Sequence, residues 1–315
     1  MAQSIRKWRL LALLGVGLVL VGTLMGFSHW FLSFPPTGSG PAGRNVPRES
    51  FNRPWTNRKV LLLGFGDSVT AGFGAPERLS YFNRLVKNPH DEFAEMRGIC
   101  LSTVLPNLST RNMAVSGSTS IDHLRYARES LGKQPGDVFG LVVMTSGGND
   151  IIHNYGRTPP REGAMYGATF EQARPWIDSY RKRLAKILDL IRLRFPGGCM
   201  IFLADIYDPT DGVGDAAKAG LPDWPDGLKI HAAYNGIIRR CAAKRPAVHL
   251  VPMHAEFLGH GIHCAQPWRE HYDRADPYYW YAFNLEDPNH RGYDALRRLF
   301  LIEIARRADQ IAGRE

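Results

Sequence analysis

The sequence predicts an α/β fold, a three-layer α/β/α sandwich around a parallel sheet, preceded by an N-terminal transmembrane helix. Three observations carry that expectation. Short apolar, β-branched runs alternate with longer helical patterns, as strands of a parallel sheet alternate with covering helices. The C-terminal ends of those runs collect Gly, Ser, Asn and Asp, where open α/β sheets place their ligands. An uncharged apolar stretch stands ahead of them all.

That stretch runs from Leu10 to Phe27, 18 residues, and stays uncharged to Phe34. At the helical rise it spans roughly 27 Å, close to the hydrocarbon thickness of a bilayer. A cleaved signal peptide is the rival reading. The run ends in Phe27-Ser28-His29-Trp30-Phe31-Leu32-Ser33-Phe34, which offers no small-x-small cleavage site and resembles an interfacial aromatic belt. Arg6, Lys7 and Arg9 precede the run, and Arg44 and Arg48 follow it more distantly. This bias expects a single-pass protein with its large C-terminal domain on the extracytoplasmic side, or a secreted one if the segment is cleaved.

Residues 1–34 are thus expected as a basic stub and membrane anchor, 35–58 as a Pro/Gly-rich polar linker, and 59–315 as one domain. Within the domain, Lys59–Phe65, Asn112–Val115, Val138–Thr145, Met200–Ile206 and Val248–Met253 read as short buried strands. Ile121–Leu131, Phe170–Phe195, Leu228–Ala243 and Asn289–Ile311 read as helices. In the second of these, Ile177, Leu184, Ile187, Leu188 and Ile191 recur at helical spacing. No 20–50-residue repeat interrupts the pattern.

Composition excludes several classes. Hydrophobic residues are 44% and charged residues 22%, which supports a packed core and argues against wholesale disorder. The net charge of +9 is concentrated at the N-terminus: residues 1–59 carry +7, leaving the rest of the chain nearly neutral. A nucleic-acid partner is therefore not expected. Cys100, Cys199, Cys241 and Cys264 suit an oxidising compartment and allow three pairings, with free buried thiols as the alternative.

Four segments hold the chemistry-bearing residues. Gly66-Asp67-Ser68-Val69 follows the first strand, where a Ser beside Gly at a strand-to-helix turn can expose its Oγ. Ser116-Gly117-Ser118 follows the second strand, and Gly117 can offer its N–H at close range. Gly147-Gly148-Asn149-Asp150 follows the third and can aim the Asn149 amide into the same crevice. Near the C-terminus stands Asp287-Pro288-Asn289-His290. Pro288 suits a first helical position, which makes Asp287 an N-cap one helical turn from His290.

In their order along one α/β domain, these blocks resemble the SGNH hydrolases, also called GDSL-type esterases and lipases. The resemblance covers residues 59–312, with Val69 in place of the family's usual Leu. It implies a flavodoxin-like sheet and ester hydrolysis through an acyl-enzyme. Ser68 would be the nucleophile, His290 the general base and Asp287 the carboxylate orienting it. The Ser68 and Gly117 N–H groups and the Asn149 amide would form the oxyanion hole. An acyltransferase with the same triad, or a membrane-anchored binding protein with an idle triad, are the alternatives.

The expected substrate is a short acyl ester, such as an O-acetylated glycan. Segments 153–176, 208–227 and 255–286 should roof the crevice, the last with Trp268, Tyr272, Tyr278, Tyr279, Trp280, Tyr281 and Phe283. Those rings either stack on a substrate or form the insertion's own small core. No cofactor is implied and no metal is expected. His254, His260, His263, Cys264 and His271 lack a structural-zinc spacing, and Asp208, Asp211 and Asp215 miss that of an EF-hand. No oligomeric state follows from the sequence.

Overall fold

The computed structural model describes residues 2–33, 35–76 and 78–313, with backbone alone for 2–7, 10 and 27–33. Five parallel strands are present among the described residues: β1 (Lys59–Phe65), β2 (Leu108–Asn112), β3 (Val138–Met144), β4 (Cys199–Ala204) and β5 (Val248–Val251). Their order is β2-β1-β3-β4-β5, the flavodoxin-like arrangement, in which the chain reverses direction across the sheet between β1 and β3. The helices are α1 (Ala2–Ser33), α2 (Ser68–Ala71), α3 (Tyr81–Val86), α4 (Leu101–Val104), α5 (Ser120–Glu129), α6 (Gly148–Ile152), α7 (Phe170–Leu193), α8 (Gly227–Ala243), α9 (Met253–Phe257), α10 (His290–Ala305) and α11 (Ala308–Ala312).

Two cores cover the sheet because strand side chains alternate between its faces. Val60 and Leu62 of β1 pack into a core with α3, α4, α9 and α10. Leu61, Leu63 and Phe65 pack into the opposite core with α5, α7 and α8. The expected three-layer sandwich is present. Strand β2 lies four residues earlier than its apolar signal suggested. Its residues Leu108-Ser-Thr-Arg-Asn112 form an edge strand paired, among the described residues, only with β1 and largely exposed, so they carry no buried-strand pattern. The expected last helix is two helices, α10 and α11, broken after Ala305.

The expected membrane-crossing helix is not found among the described residues: none is long and apolar enough to cross a membrane. Helix α1 does cover the uncharged run, but the side chains of Leu10 and of residues 27–34 lie outside the described residues. The described apolar part, Leu11 to Gly26, is about 24 Å long, short of the roughly 30 Å required. Every side chain described along it is exposed.

Residues 35–58, expected as a polar linker, instead lie against the domain as a strap. Ala42, Val46, Phe51 and Trp55 enter the core. Arg291 donates to the carbonyls of Ser39, Gly40 and Pro41, and the Ala42 N–H donates to Asp294 Oδ2 at 3.0 Å. Gly43 permits this approach, since a Cβ there would sit 2.6 Å from the Ala295 Cα. A composition rich in Pro and Gly marks absence of regular structure, not absence of packing. All four cysteines are buried free thiols, so none of the three possible pairings is present.

Candidate active site

Strand β1 ends at Phe65, and the chain turns at Gly66 with φ +144. A Cβ at Gly66 would lie 2.3 Å from the Thr145 carbonyl oxygen, so only glycine lets this turn rest on the end of β3. Asp67 caps α2 and accepts from Val69 N–H at 3.2 Å and Thr145 Oγ at 2.6 Å. Burial pushes the Asp67 carboxyl up to about 6, against those hydrogen bonds. Ser68 follows as the first residue of α2, and its hydroxyl enters a cavity of about 150 Å³ beyond the carboxyl ends of the strands.

Asn149 also lines that cavity, while Gly117 lies outside its lining. The Asn149 amide donates one hydrogen to the Ser118 carbonyl at 2.9 Å, leaving its second N–H for a ligand. Among the described residues, the N–H groups of Ser68 and Gly117 make no hydrogen bond. Behind this rim, Ser118 Oγ contacts Gly66 O and His123 Nε2, and His123 Nδ1 contacts Ser146 Oγ. Asp150 is fully buried and accepts from Ser120 N–H and Oγ. The third block therefore divides its work: Asn149 faces the cavity, and Asp150 fixes the turn after β2. Replacing Asn149 by Ala is expected to lower kcat about 100- to 1,000-fold with KM little changed, in steady-state ester hydrolysis.

Asp287 does reach Ser68; His290 does not. Asp287 is 1% exposed, and its Oδ2 accepts from Asn284 Nδ2 at 2.8 Å. Burial raises its pKa, while the Ser68 hydroxyl and the Asn284 amide pull it down. Oδ1 carries no hydrogen bond of ordinary geometry, so the Ser68 hydroxyl approaches the carboxylate without completing one. His290 is exposed, and its ring stacks on Phe93 at 6.4 Å. Partial burial and then the Arg84 charge lower its pKa, opposed by Asp294 and Asp91. Among the described residues, no hydrogen bond joins His290 to Asp287 or Ser68.

The expected Asp287–His290 contact fails for a local reason. Asn289, not Asp287, caps α10, accepting from the Arg291 and Gly292 N–H groups. His290 is thus the first helical residue, and Asp287 lies before the cap in a closed loop. The two do not share a helical turn, so a spacing of three does not bring their side chains together. The loop closes through an isolated bridge between Tyr281 and Pro288 and through the Ala282 N–H donating to Asp287 O at 2.7 Å.

Sequence reasoning misses Asn284 as a site residue, and it sets Glu286 aside as the triad acid in favour of Asp287. Asn284 is three residues before Asp287, a spacing that was available but attached to a residue type not sought. Glu286 lines the cavity, and burial together with the Asp287 and Asp67 charges pushes it up to about 7. All three long segments roof the cavity as expected: Tyr155 and Tyr166 from the first, Trp224 from the second, Leu285 from the third. Of the aromatics in 255–286, Tyr279, Trp280 and Tyr281 serve the core, Trp280 and Tyr281 against Phe257 and Tyr279 against Tyr281, whereas Trp268, Tyr278 and Phe283 are exposed. Asp211 holds that insertion by accepting from the N–H groups of Gly259, Gly261 and His263. Among the described residues, no group of three or more His, Cys, Asp or Glu is placed to hold a metal ion.

Comparison with known proteins places this site in a family. The GDSL-like Lipase/Acylhydrolase family model matches residues 65–295. An Axe2 variant, an acetyl xylan esterase from Geobacillus stearothermophilus, is similar in structure with TM-score 0.49 and 18% identity over 79% of this chain and 96% of its own. The psychrotrophic esterase EstA from a Pseudoalteromonas species is similar at TM-score 0.44 and 13% identity, over 78% and 97%. AlinE4, an SGNH-hydrolase family esterase, is similar at TM-score 0.40 and 22% identity, over 70% and 86%. No curated protein matches the sequence. The family match covers most of the domain and both the Ser68 and Asp287 segments. The chain belongs to the GDSL-like lipase/acylhydrolase family and is, at the level of that family, an ester hydrolase.

Proposed function

We propose that Ser68 is the nucleophile for a small carboxylic ester whose acyl part is apolar and short. The observation that carries this reading is the position of Ser68 on an apolar cavity, beside N–H groups left without partners. Ile151, Ile152, Tyr155, Ile206, Trp224 and Leu228 surround the space an acyl chain would fill. A void of about 150 Å³ is known to take a benzene-sized molecule, which limits the acyl part to about six heavy atoms. Asp67, Asp208 and Glu286 at the same cavity disfavour an anionic substrate. Attack by Ser68 Oγ on the ester carbonyl would give an oxyanion facing the Ser68 N–H and the Asn149 amide.

An O-acetylated glycan fits the short acyl part, with its sugar left outside the cavity. A panel of p-nitrophenyl esters of rising acyl length tests the reading, with fluorophosphonate labelling of Ser68. Activity concentrated on the short acyl esters, and labelling lost in Ser68→Ala, is the expected outcome. Unlabelled wild-type protein that turns over no ester would instead identify a domain that only binds. Transfer of the acyl group to an added alcohol would identify an acyltransferase.

We read the N-terminal segment as a tether holding the domain on the extracytoplasmic side of a membrane. The support is the uncharged run from Leu10 to Phe34 behind Arg6, Lys7 and Arg9, together with exposed Leu11, Leu14, Leu18 and Val21 on α1. Apolar surface of that extent is stable only when another apolar phase covers it. The full chain is expected to stay in the membrane fraction after alkaline carbonate extraction, and a chain lacking residues 1–34 to leave it. Recovery of the full chain in the carbonate supernatant would end the tether reading. A mature N-terminus beyond Phe34 would show a cleaved, secreted form.

A further inference from the structure

We propose that Asp287 is itself the proton acceptor for Ser68, with Asn284 as its positioning residue, so that this chain hydrolyses esters without the imidazole of His290. The inference rests on Ser68 being the nucleophile. Its ground is the pair of oxygens on one buried carboxylate. Oδ2 is anchored by Asn284 Nδ2 at 2.8 Å, and Oδ1 has no hydrogen-bond partner although Asp287 is 1% exposed. A buried carboxylate oxygen without a donor is an unfavourable arrangement. Here it leaves a free acceptor on a carboxylate whose pKa the Ser68 hydroxyl pulls down.

The loop is built to hold that carboxylate. Asn284 Oδ1 accepts from the Glu286 and Asp287 N–H groups, both at 3.3 Å, while its amide donates to Asp287. Leu285 takes a left-handed conformation, φ 63, and its N–H donates to Ala282 O at 3.1 Å. The spacing of three that the resemblance assigned to Asp287 and His290 is realised one step earlier, by Asn284 and Asp287. An amide stands where a carboxylate was expected, and a carboxylate where an imidazole was expected.

The proton balance closes with these groups. As Ser68 Oγ bonds to the ester carbonyl carbon, its proton passes to Asp287. Collapse of the tetrahedral oxyanion breaks the C–O bond to the leaving alkoxide, which takes that proton from Asp287. Water then attacks the acyl-enzyme, gives a proton to Asp287, and the second collapse returns one to Ser68 Oγ. A carboxylate is a competent base when its pKa is raised toward the operating pH. Burial supplies that rise for Asp287. The groups facing it are all acidic: Asp67 from the turn after β1, Glu286 from its own loop, Tyr207 after β4 and Tyr293 on α10.

The test compares Asp287→Asn, Asn284→Ala, His290→Ala and Ser68→Ala in the full chain, with p-nitrophenyl acetate, across pH. Asp287→Asn is expected to lower kcat at least about 100-fold with KM little changed, and to abolish the acid limb of the pH profile. His290→Ala is expected to retain turnover. Asn284→Ala should stay active with its acid limb moved to higher pH, because the lost hydrogen bond favoured the ionised carboxylate. A purely structural role for Asn284 would leave that limb in place. Retained turnover in Asp287→Asn, an equal loss in His290→Ala, or an unmoved limb in Asn284→Ala would each overturn the proposal. If Asp287→Asn does not fold, Asn284→Ala and His290→Ala decide alone. Loss in Ser68→Ala with retention in Asp287→Asn sinks only this inference; retention in Ser68→Ala sinks the reading beneath it.

Discussion

Ser68→Ala is expected to abolish fluorophosphonate labelling and to cut ester turnover by at least about 1,000-fold while leaving the fold intact. The magnitude follows from covalent catalysis. Without Oγ no acyl-enzyme forms, and only the oxyanion donors and cavity binding remain to assist water. Intact folding follows from placement. Ser68 is the first residue of a four-residue helix whose cap bonds come from Asp67, and its hydroxyl completes no ordinary hydrogen bond with Asp287. Circular dichroism and the thermal transition should match wild type. Residual turnover near the wild-type rate would remove Ser68 from the chemistry.

Asp294→Ala is expected to destabilise the protein by about 3–5 kcal/mol, the cost of stranding buried charges. Asp294 is fully buried on α10 and accepts from Arg297 at 2.7 Å, Arg298 at 3.0 Å and Arg84 at 3.1 Å. Its Oδ2 also accepts from Ala42 N–H, so the same carboxylate fastens the strap of residues 35–58. Glu92 pairs with Arg84 and Arg297, and their hydrogen bonds hold it at about 2 despite the opposing effect of its burial. Removing Asp294 leaves Arg298 with Glu95 alone and takes one anchor from the strap. Urea unfolding should show a lower midpoint with an unchanged slope. Lys59→Ala, at an exposed pair with Asp137, should leave that midpoint nearly unmoved. Equal midpoints in the two variants would mean that the buried cluster contributes nothing.

The readable part of this protein was the part set by local chemistry. Strand β1 was legible to the residue because it lies inside the sheet and is buried from Val60 to Phe65, so both of its faces are apolar. Strand β2 was not, because an exposed edge strand needs no apolar alternation. The Gly66-Asp67-Ser68 turn and the Asn149 segment were legible because their geometry is made by neighbours in sequence. The strap was read as a linker because its partners, Asp294, Arg291 and Tyr279, lie more than two hundred residues away.

Sequence alone therefore determined the layered sheet, the family and the strand end that holds Ser68. Tertiary structure decided which side chain faces its hydroxyl. Asp287 and Asn289 are both good helix caps, and short-range pattern does not rank them. The choice fell to Asn289 because the bridge between Tyr281 and Pro288, and the bonds Asn284 makes inside the loop, draw Asp287 beneath the helix end and leave His290 outside it.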